Sequence, residues 1–264
     1  MNKVGFIGAG NMATAIISGI TKAKMNVELY AYDVDFEKAS ALAKFQVHAC
    51  NSILEMVKDI DFLFLSVKPQ NFSEVLTEIK GHLSKYTVIV SIAAGITQEY
   101  IATILGFDVK VVRVMPNTPL LLGFGASALS HNSQVTADEF NFVQQIFNSA
   151  GISEVVSPDK MNEVIAINGS TPAFIYEFAR CFIEYGKSVD LDEKVCLNLF
   201  SQTLIGSAKM MMESGYTIEE LIQMVSSKGG TTIAGLESFK DSGLQDVVTD
   251  ACKKCVNRAY ELSK

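Results

Sequence analysis

From the N-terminus to the vicinity of Val155, short apolar runs alternate with helical patterns, and that alternation restricts the chain to few architectures. "DFLFLSV" and "TVIVSIA" are apolar without interruption, the pattern of parallel strands buried on both faces. "KVGFIGAG", "VELYAY", "KVVRVM" and "FGASALS" read as further strands. Between them "DFEKASALAKF" reads as a polar-faced helix, and "TADEFNFVQQIFNSAG" as a helix with a glycine stop. Strand–helix alternation at this spacing means βαβ units in an α/β fold, a doubly wound parallel sheet of the Rossmann type.

Near Ser157–Lys160 the texture changes. Long apolar helical patterns run from Met161 to Tyr185 and from Asp192 to Glu213, followed by three shorter ones. Thr217-Ile-Glu-Glu220 has capping-box spacing and opens the helix "IEELIQMV". The expected division is therefore residues 1–158 as a dinucleotide-binding domain and 159–264 as an all-helical domain. Met210, Met211, Met212, Leu221, Ile222 and Met224 enrich the helical part in apolar side chains. With little sheet to cover, they are expected to serve subunit contacts.

Composition excludes several function classes. A formal net charge of −7 provides no footprint for nucleic acid and no polybasic membrane anchor. No apolar run approaches the ~18 residues of a membrane span. The first residues enter a strand pattern without a signal-peptide layout, so a cytoplasmic location is expected. The five cysteines are odd in number and scattered, unlike a secreted disulfide framework. Cys252 and Cys255 fall with Val248, Ala259 and Leu262 on one helical stripe, which favours packing over redox or metal chemistry. His48, His82 and His131 have no companions at metal-ligand spacing, and no metal site is expected.

Gly8-Ala9-Gly10-Asn11-Met12-Ala13 is G-x-G-x-x-A between a strand and a helix. Gly8 permits the tight turn, Gly10 lets the backbone approach a pyrophosphate, and Ala13 allows close helix–strand packing. Asp33 closes the next strand at the expected spacing of about 20 residues. A carboxylate there accepts bonds from the ribose hydroxyls of NAD and repels the 2′-phosphate of NADP, so it leans toward NADH. It could equally be a helix N-cap, and Lys38 is the nearest cation.

Small-residue loops follow three strands: Ser66 to Gln70, Ser91 to Thr97, and "RVMPNTP" from Arg113 to Pro119. At the carboxyl ends of parallel strands they suit a shared cofactor cleft, although each could be an ordinary connection. "INGSTPAF" interrupts the first long helix, where Pro172 is expected to introduce a kink. "SSKGGTTIAGL", Ser226 to Leu236, joins two helices through a glycine turn, with Thr231 and Thr232 at the start of the second. Such a start offers free N–H groups to a carboxylate or phosphate, and a plain capped turn remains the alternative.

Taken together, "VGFIGAGNMA", "SVKPQ", "SIAAGI", "VRVMPNTP" and "GGTTIAGL" resemble the pyrroline-5-carboxylate reductases along nearly the whole chain. The resemblance implies reduction of the cyclic imine acid L-1-pyrroline-5-carboxylate to L-proline by NADPH or NADH, and a homodimer through the helical domain or a higher oligomer. It implies that Ile7, Gly8, Ala9, Gly10, Asn11 and Met12 face the pyrophosphate and that Asn51 contacts the adenosine end. Ser66, Val67, Lys68 and Pro69, with Ile92, Ala93 and Ala94, would line the nicotinamide half. Ser227, Gly230, Thr231 and Thr232 would hold the substrate, the Thr232 hydroxyl lying near the imine nitrogen. Three positions depart from the family pattern: Lys228 in place of proline, Thr171 in place of glycine, and Asp33 where small polar or basic residues are common. Alternatives are a reductase of the six-membered piperideine homologue and a non-catalytic dinucleotide-binding dimer. The related hydroxyacid dehydrogenases use a lysine on the long interdomain helix, and none occurs between Met161 and Tyr185.

Overall fold

The computed structural model describes residues 1–263. The backbone divides into two compact units: Met1–Pro172 together with the segment from Cys255 onward, and Ala173–Lys254.

In the first unit the strands and helices alternate: β1 (Asn2–Ile7), α1 (Asn11–Lys22), β2 (Val27–Tyr32), α2 (Phe36–Ser40), β3 (Val47–Ala49), α3 (Ile53–Met56), β4 (Phe62–Leu65) and α4 (Phe72–Ile79). They continue with β5 (Val88–Ser91), α5 (Gln98–Leu105), β6 (Lys110–Met115), β7 (Gly125–His131), α6 (Ala137–Asn148) and β8 (Gly151–Val155). Among the described residues these strands form one eight-stranded sheet, ordered β3-β2-β1-β4-β5-β6-β7-β8. Every pairing is parallel except β6 with β7. The short link between Met115 and Gly125 is too brief for a crossover helix, so β7 returns antiparallel.

The central strands are buried on both faces, as their unbroken apolar runs require. Phe62–Leu65 and Val88–Ser91 are buried throughout. Phe6 and Phe64 stack at 4.6 Å between ring centroids in the cluster under α1 and α6, while Leu63, Ile89 and Val111 face a second cluster. Burying one such side chain stabilises the fold by about 1.5–3 kcal/mol. The pattern "DFEKASALAKF" is one α-helical turn and a half followed by a 3-10 segment at Ala41–Phe45, which a left-handed Gln46 terminates.

The segment after Pro158 packs within the first unit rather than leaving it, because Met161 and Ile165 are buried in a third cluster with Met115, Ala128 and Ala259. The compact unit therefore extends to Pro172, beyond the textural change near Ser157. Pro172 does not kink a continuous helix. Residues 163–166 form a 3-10 turn, and α7 (Thr171–Ser188) starts afresh with Pro172 in its first turn, where a missing N–H costs nothing. Thr171 Oγ1 donates to the Ala166 and Ile167 carbonyls at 2.7 and 2.8 Å and fastens that start.

Most of the second unit consists of α7, α8 (Glu193–Glu213), α9 (Ile218–Met224), α10 (Thr231–Asp241) and the first half of α11 (Leu244–Leu262). Thr217 and Glu220 form the capping box that their spacing predicts. Phe178, Phe182, Phe200 and Phe239 cluster, with Phe182 and Phe200 centroids 4.9 Å apart. Yet α8, α9 and α10 contain no buried residue, and Met212 is 72% exposed. No helix among the described residues is long and apolar enough to cross a membrane.

Candidate functional site

The order of the sheet reverses between β1 and β4, and the carboxyl ends of these strands open a crevice, the usual ligand position in such sheets. Hydrogen bonds stitch the strand ends together: Gly8 N donates to Tyr32 O at 2.8 Å, and Ser66 N donates to Ile7 O at 2.8 Å. Gly8 has φ +97°, and a Cβ on it would lie 2.7 Å from the Ser66 carbonyl oxygen, so only glycine fits. Gly10 caps the start of α1 without any side-chain bond, and a Cβ there would meet nothing within 4 Å. The first N–H groups of this twelve-residue helix thus have no side-chain cap and open space beside Gly10, and this cradle fits a pyrophosphate. Ala13 is fully buried, which allows α1 to lie close on the sheet.

A cleft of about 580 Å³ opens here, with Ile7, Gly8, Gly10, Asp33, Ser66, Val67 and Lys68 in its wall. Ser66 Oγ is buried without a protein partner. Ala9, Asn11, Met12, Asn51 and Pro69 do not line the cleft itself; Asn51 is an exposed residue just before Ser52, the N-cap of α3. Sequence reasoning missed Val34, which is 92% exposed beside Asp33, and the acidic pair Glu74 and Glu78 from α4. An isolated apolar residue within "DVDFEK" was the available signal for Val34.

Asp33 is not the N-cap of α2; Asp35 occupies that position. The Asp33 carboxylate instead accepts from Ala9 N at 2.8 Å and from Asp35 N at 3.0 Å, so both oxygens are anchored at the cleft. Lys38 is engaged by Asp35 at 3.4 Å.

The loop after β5 carries Ile92, Ala93 and Ala94, none of which lines the cleft wall. They pack into three different apolar clusters. At the end of β6, Asn117 and Asn168 form a buried amide lock. Asn117 Nδ2 donates to Asn168 O at 3.2 Å, and Asn117 Oδ1 accepts from Ala126 N at 2.9 Å. Asn168 Nδ2 donates to Met115 O at 2.7 Å and to Ala126 O at 3.0 Å. The asparagines of "MPNTP" and "INGS" therefore brace each other.

In the second unit, Gly230 N donates to Ser227 O at 2.9 Å and Gly229 has φ +74°. Residues 227–230 thus form a turn whose third residue must be left-handed, and whose second, Lys228, sits where proline is well suited. A Cβ on Gly230 would lie 2.6 Å from Ser227 Oγ and 3.0 Å from the Ser227 carbonyl oxygen, so a side chain here requires the serine to move. Gly230, not Thr231 or Thr232, is the N-cap of α10, and no side chain caps the helix. Thr231 and Thr232 are exposed in the first turn, where N–H groups have no intrahelical acceptor. Ser227, Thr231 and Thr232 thus gather hydroxyls around an uncapped helix start.

The cysteines are all free thiols. Cys252 and Cys255 are half-buried, and Cys255 Sγ lies 3.0 Å from Ser170 Oγ. Burial pushes the Cys50 thiol above its ordinary pKa. Among the described residues no group of three or more His, Cys, Asp or Glu side chains could hold a metal ion.

Residues 158–262 match the family model described as pyrroline-5-carboxylate reductase dimerisation, and residues 3–95 match that described as NADP oxidoreductase coenzyme F420-dependent. The pyrroline-5-carboxylate reductase of Escherichia coli K12 is 34% identical over 99% of this chain and 98% of its own. A solved pyrroline-5-carboxylate reductase of Coxiella burnetii superposes with a TM-score of 0.92 at 30% identity, covering 99% of this chain and 98% of its own. That of Plasmodium falciparum, solved with NADP bound, gives 0.90 at 28% identity, covering 100% and 98%. Prephenate dehydrogenase from Aquifex aeolicus, 16% identical with a TM-score of 0.56, shares the fold alone.

Proposed function

The chain belongs to the pyrroline-5-carboxylate reductase family and reduces L-1-pyrroline-5-carboxylate to L-proline with NAD(P)H, and on that premise we propose which of its residues carry the reaction. The cofactor-binding residues are Ile7 to Met12, Asp33, Asn51, Ser66 to Pro69 and Ile92 to Ala94. The substrate-binding residues are Ser227, Gly230, Thr231 and Thr232.

The bound dinucleotide supplies a hydride to the imine carbon. The protein's own residues perform the remaining tasks. The N–H groups that open α1 neutralise the pyrophosphate, and the fixed Asp33 carboxylate accepts from the ribose hydroxyls. Its charge disfavours a 2′-phosphate; Glu74 and Glu78 add to it, and of the two lysines in the cleft, Lys38 and Lys68, the first is engaged by Asp35, so NADH is the preferred donor. The free N–H groups at Thr231 and Thr232 clamp the substrate carboxylate. The Thr232 hydroxyl hydrogen-bonds the ring nitrogen and relays to it a proton drawn from water, so that the amine forms and the threonine ends unchanged. An imine is itself an electrophile, so placement suffices, and well-oriented reactants can lower a barrier by about 7–11 kcal/mol.

The observation that carries this reading is the uncapped start of α10 behind a turn that packs Ser227 against Gly230. Gly230→Ala tests it. The added methyl displaces Ser227, so the KM for the imine acid rises at least about tenfold, some 1.4 kcal/mol, with cofactor affinity unchanged. An unchanged KM would remove the cradle from substrate binding.

The exposed apolar side chains of α8 and α9 support a homodimer formed through the helical unit, in agreement with the dimerisation description of residues 158–262. Met211 and Met224, with Ile218, Leu221 and Ile222, line an apolar groove there. The proposed location is the cytoplasm.

A further inference from the structure

The last turn of α11 returns to the first unit against the loop that follows β5. That loop has a weak tie of its own: Ile92 N reaches Leu65 O at 3.4 Å, a long bond. Its three residues are anchored separately, Ile92 against the cluster under α1, Ala93 in the opposite cluster, and Ala94 in the cluster that includes Met161 and Ala259. The end of α11 contributes Ala259 to that third cluster.

Gly95 comes next, at φ +77°, and a Cβ on it would lie 3.1 Å from both the Leu262 carbonyl carbon and its oxygen, and 3.3 Å from Ser263 N. Loop and terminal turn thus meet backbone to backbone, with no flexible side chain between them. The turn is itself pinned. Ser263 Oγ donates to Ala259 O at 2.9 Å and accepts from Asn162 Nδ2 at 3.1 Å. Asn162 Oδ1 accepts from Arg113 Nη2 at 2.7 Å, and Arg113 lies on β6, the strand beside β5, in register with Ser91. Tyr260 Oη donates to Glu163 Oε1 at 2.7 Å. Arg113 and Asn162 are both buried and contribute nothing to the cleft wall.

We propose that Ala259–Ser263, tied through Asn162 to Arg113, form a strut that holds the Ile92–Gly95 loop at the position the nicotinamide requires. These are positioning residues, and the proposal rests on the reading that Ile92 to Ala94 line the nicotinamide half. A contact of this kind acts on placement: a loop shifted by an ångström can lower a rate up to a hundredfold without loss of the fold.

The test compares the wild type with a chain ended after Glu261, in two measurements. The first is amide hydrogen exchange in the cofactor-free protein. Exchange at Ile92–Ile96 is expected to quicken by about tenfold or more, while β1 and β4 keep their protection. The second is turnover. The kcat is expected to fall roughly ten- to a hundredfold, with a larger isotope effect from C4-deuterated cofactor and a cofactor Kd within about twofold of wild type. Ser263→Ala, which deletes one hydroxyl, should move both readouts in the same direction by less, and it serves if the shortened chain fails to fold. Unchanged exchange at Ile92–Ile96, or faster exchange with unchanged kcat and isotope effect, overturns the proposal. Ala94→Leu in the full chain tests the underlying reading separately: undisturbed cofactor oxidation there would refute the nicotinamide assignment whatever the strut variants do.

Discussion

The Ala9 amide donates to Asp33 Oδ2 across 2.8 Å, so the fingerprint turn and the end of β2 are one hydrogen-bonded unit. The charge proposed to select the cofactor is thus part of the frame that shapes the cleft. Asp33→Asn keeps an acceptor for Ala9 and removes the charge. The ratio of kcat/KM with NADPH to that with NADH is expected to rise by roughly tenfold, or about 1.4 kcal/mol. Asp33→Ala also loses the tie and should weaken both cofactors. An unchanged ratio in Asp33→Asn would show that the carboxylate takes no part in selection.

Asn168 donates to two main-chain carbonyls, those of Met115 and Ala126, from a buried position. Asn168→Ala leaves both acceptors without this donor and should destabilise the first unit by about 1–3 kcal/mol. Thermal or denaturant unfolding checks the loss. Asn117→Ala should cost less than an independent sum when combined with it, since the two side chains serve one lock.

Glu139 sits 21% exposed beside Lys110. Burial pushes its pKa up, but the hydrogen bond from Lys110 and those from Thr136 outweigh burial, and the carboxyl lies below its ordinary value. A folded-state pKa below the unfolded one adds stability that is fully present above the unfolded value, near 4.3, and fades as pH falls through the folded value. Glu139→Gln should therefore lower stability at pH 7 by about 1 kcal/mol and flatten the acid limb of the Tm profile. A mutant profile parallel to wild type at every pH would contradict this.

The doubly wound sheet was legible because parallel strands buried on both faces leave unbroken apolar runs, as in "DFLFLSV". The glycine fingerprint was legible because Gly8 answers to backbone geometry and Gly10 leaves open space before α1. The antiparallel return of β7 was not, since strand direction depends on the length of a link rather than on strand composition. The role of Pro172 is not legible, because a proline inside an apolar run looks the same whether it bends a helix or begins one. The asparagines of "MPNTP" and "INGS" carry no sign in sequence that they face each other, as their pairing spans about fifty residues of chain. Gly230 takes the cap of α10 because its N–H closes the turn on Ser227 O, a contact that a propensity scale does not contain.

The central claim is that the hydroxyl and amides at the start of α10 act on the imine acid. Initial rates on L-1-pyrroline-5-carboxylate, with NADH and with NADPH, for wild type beside Thr232→Ala and Thr232→Ser test it most directly. Thr232→Ala is predicted to lower kcat by roughly ten- to a thousandfold with either cofactor, and Thr232→Ser to recover most of the loss. Equal rates for wild type and Thr232→Ala would contradict the account.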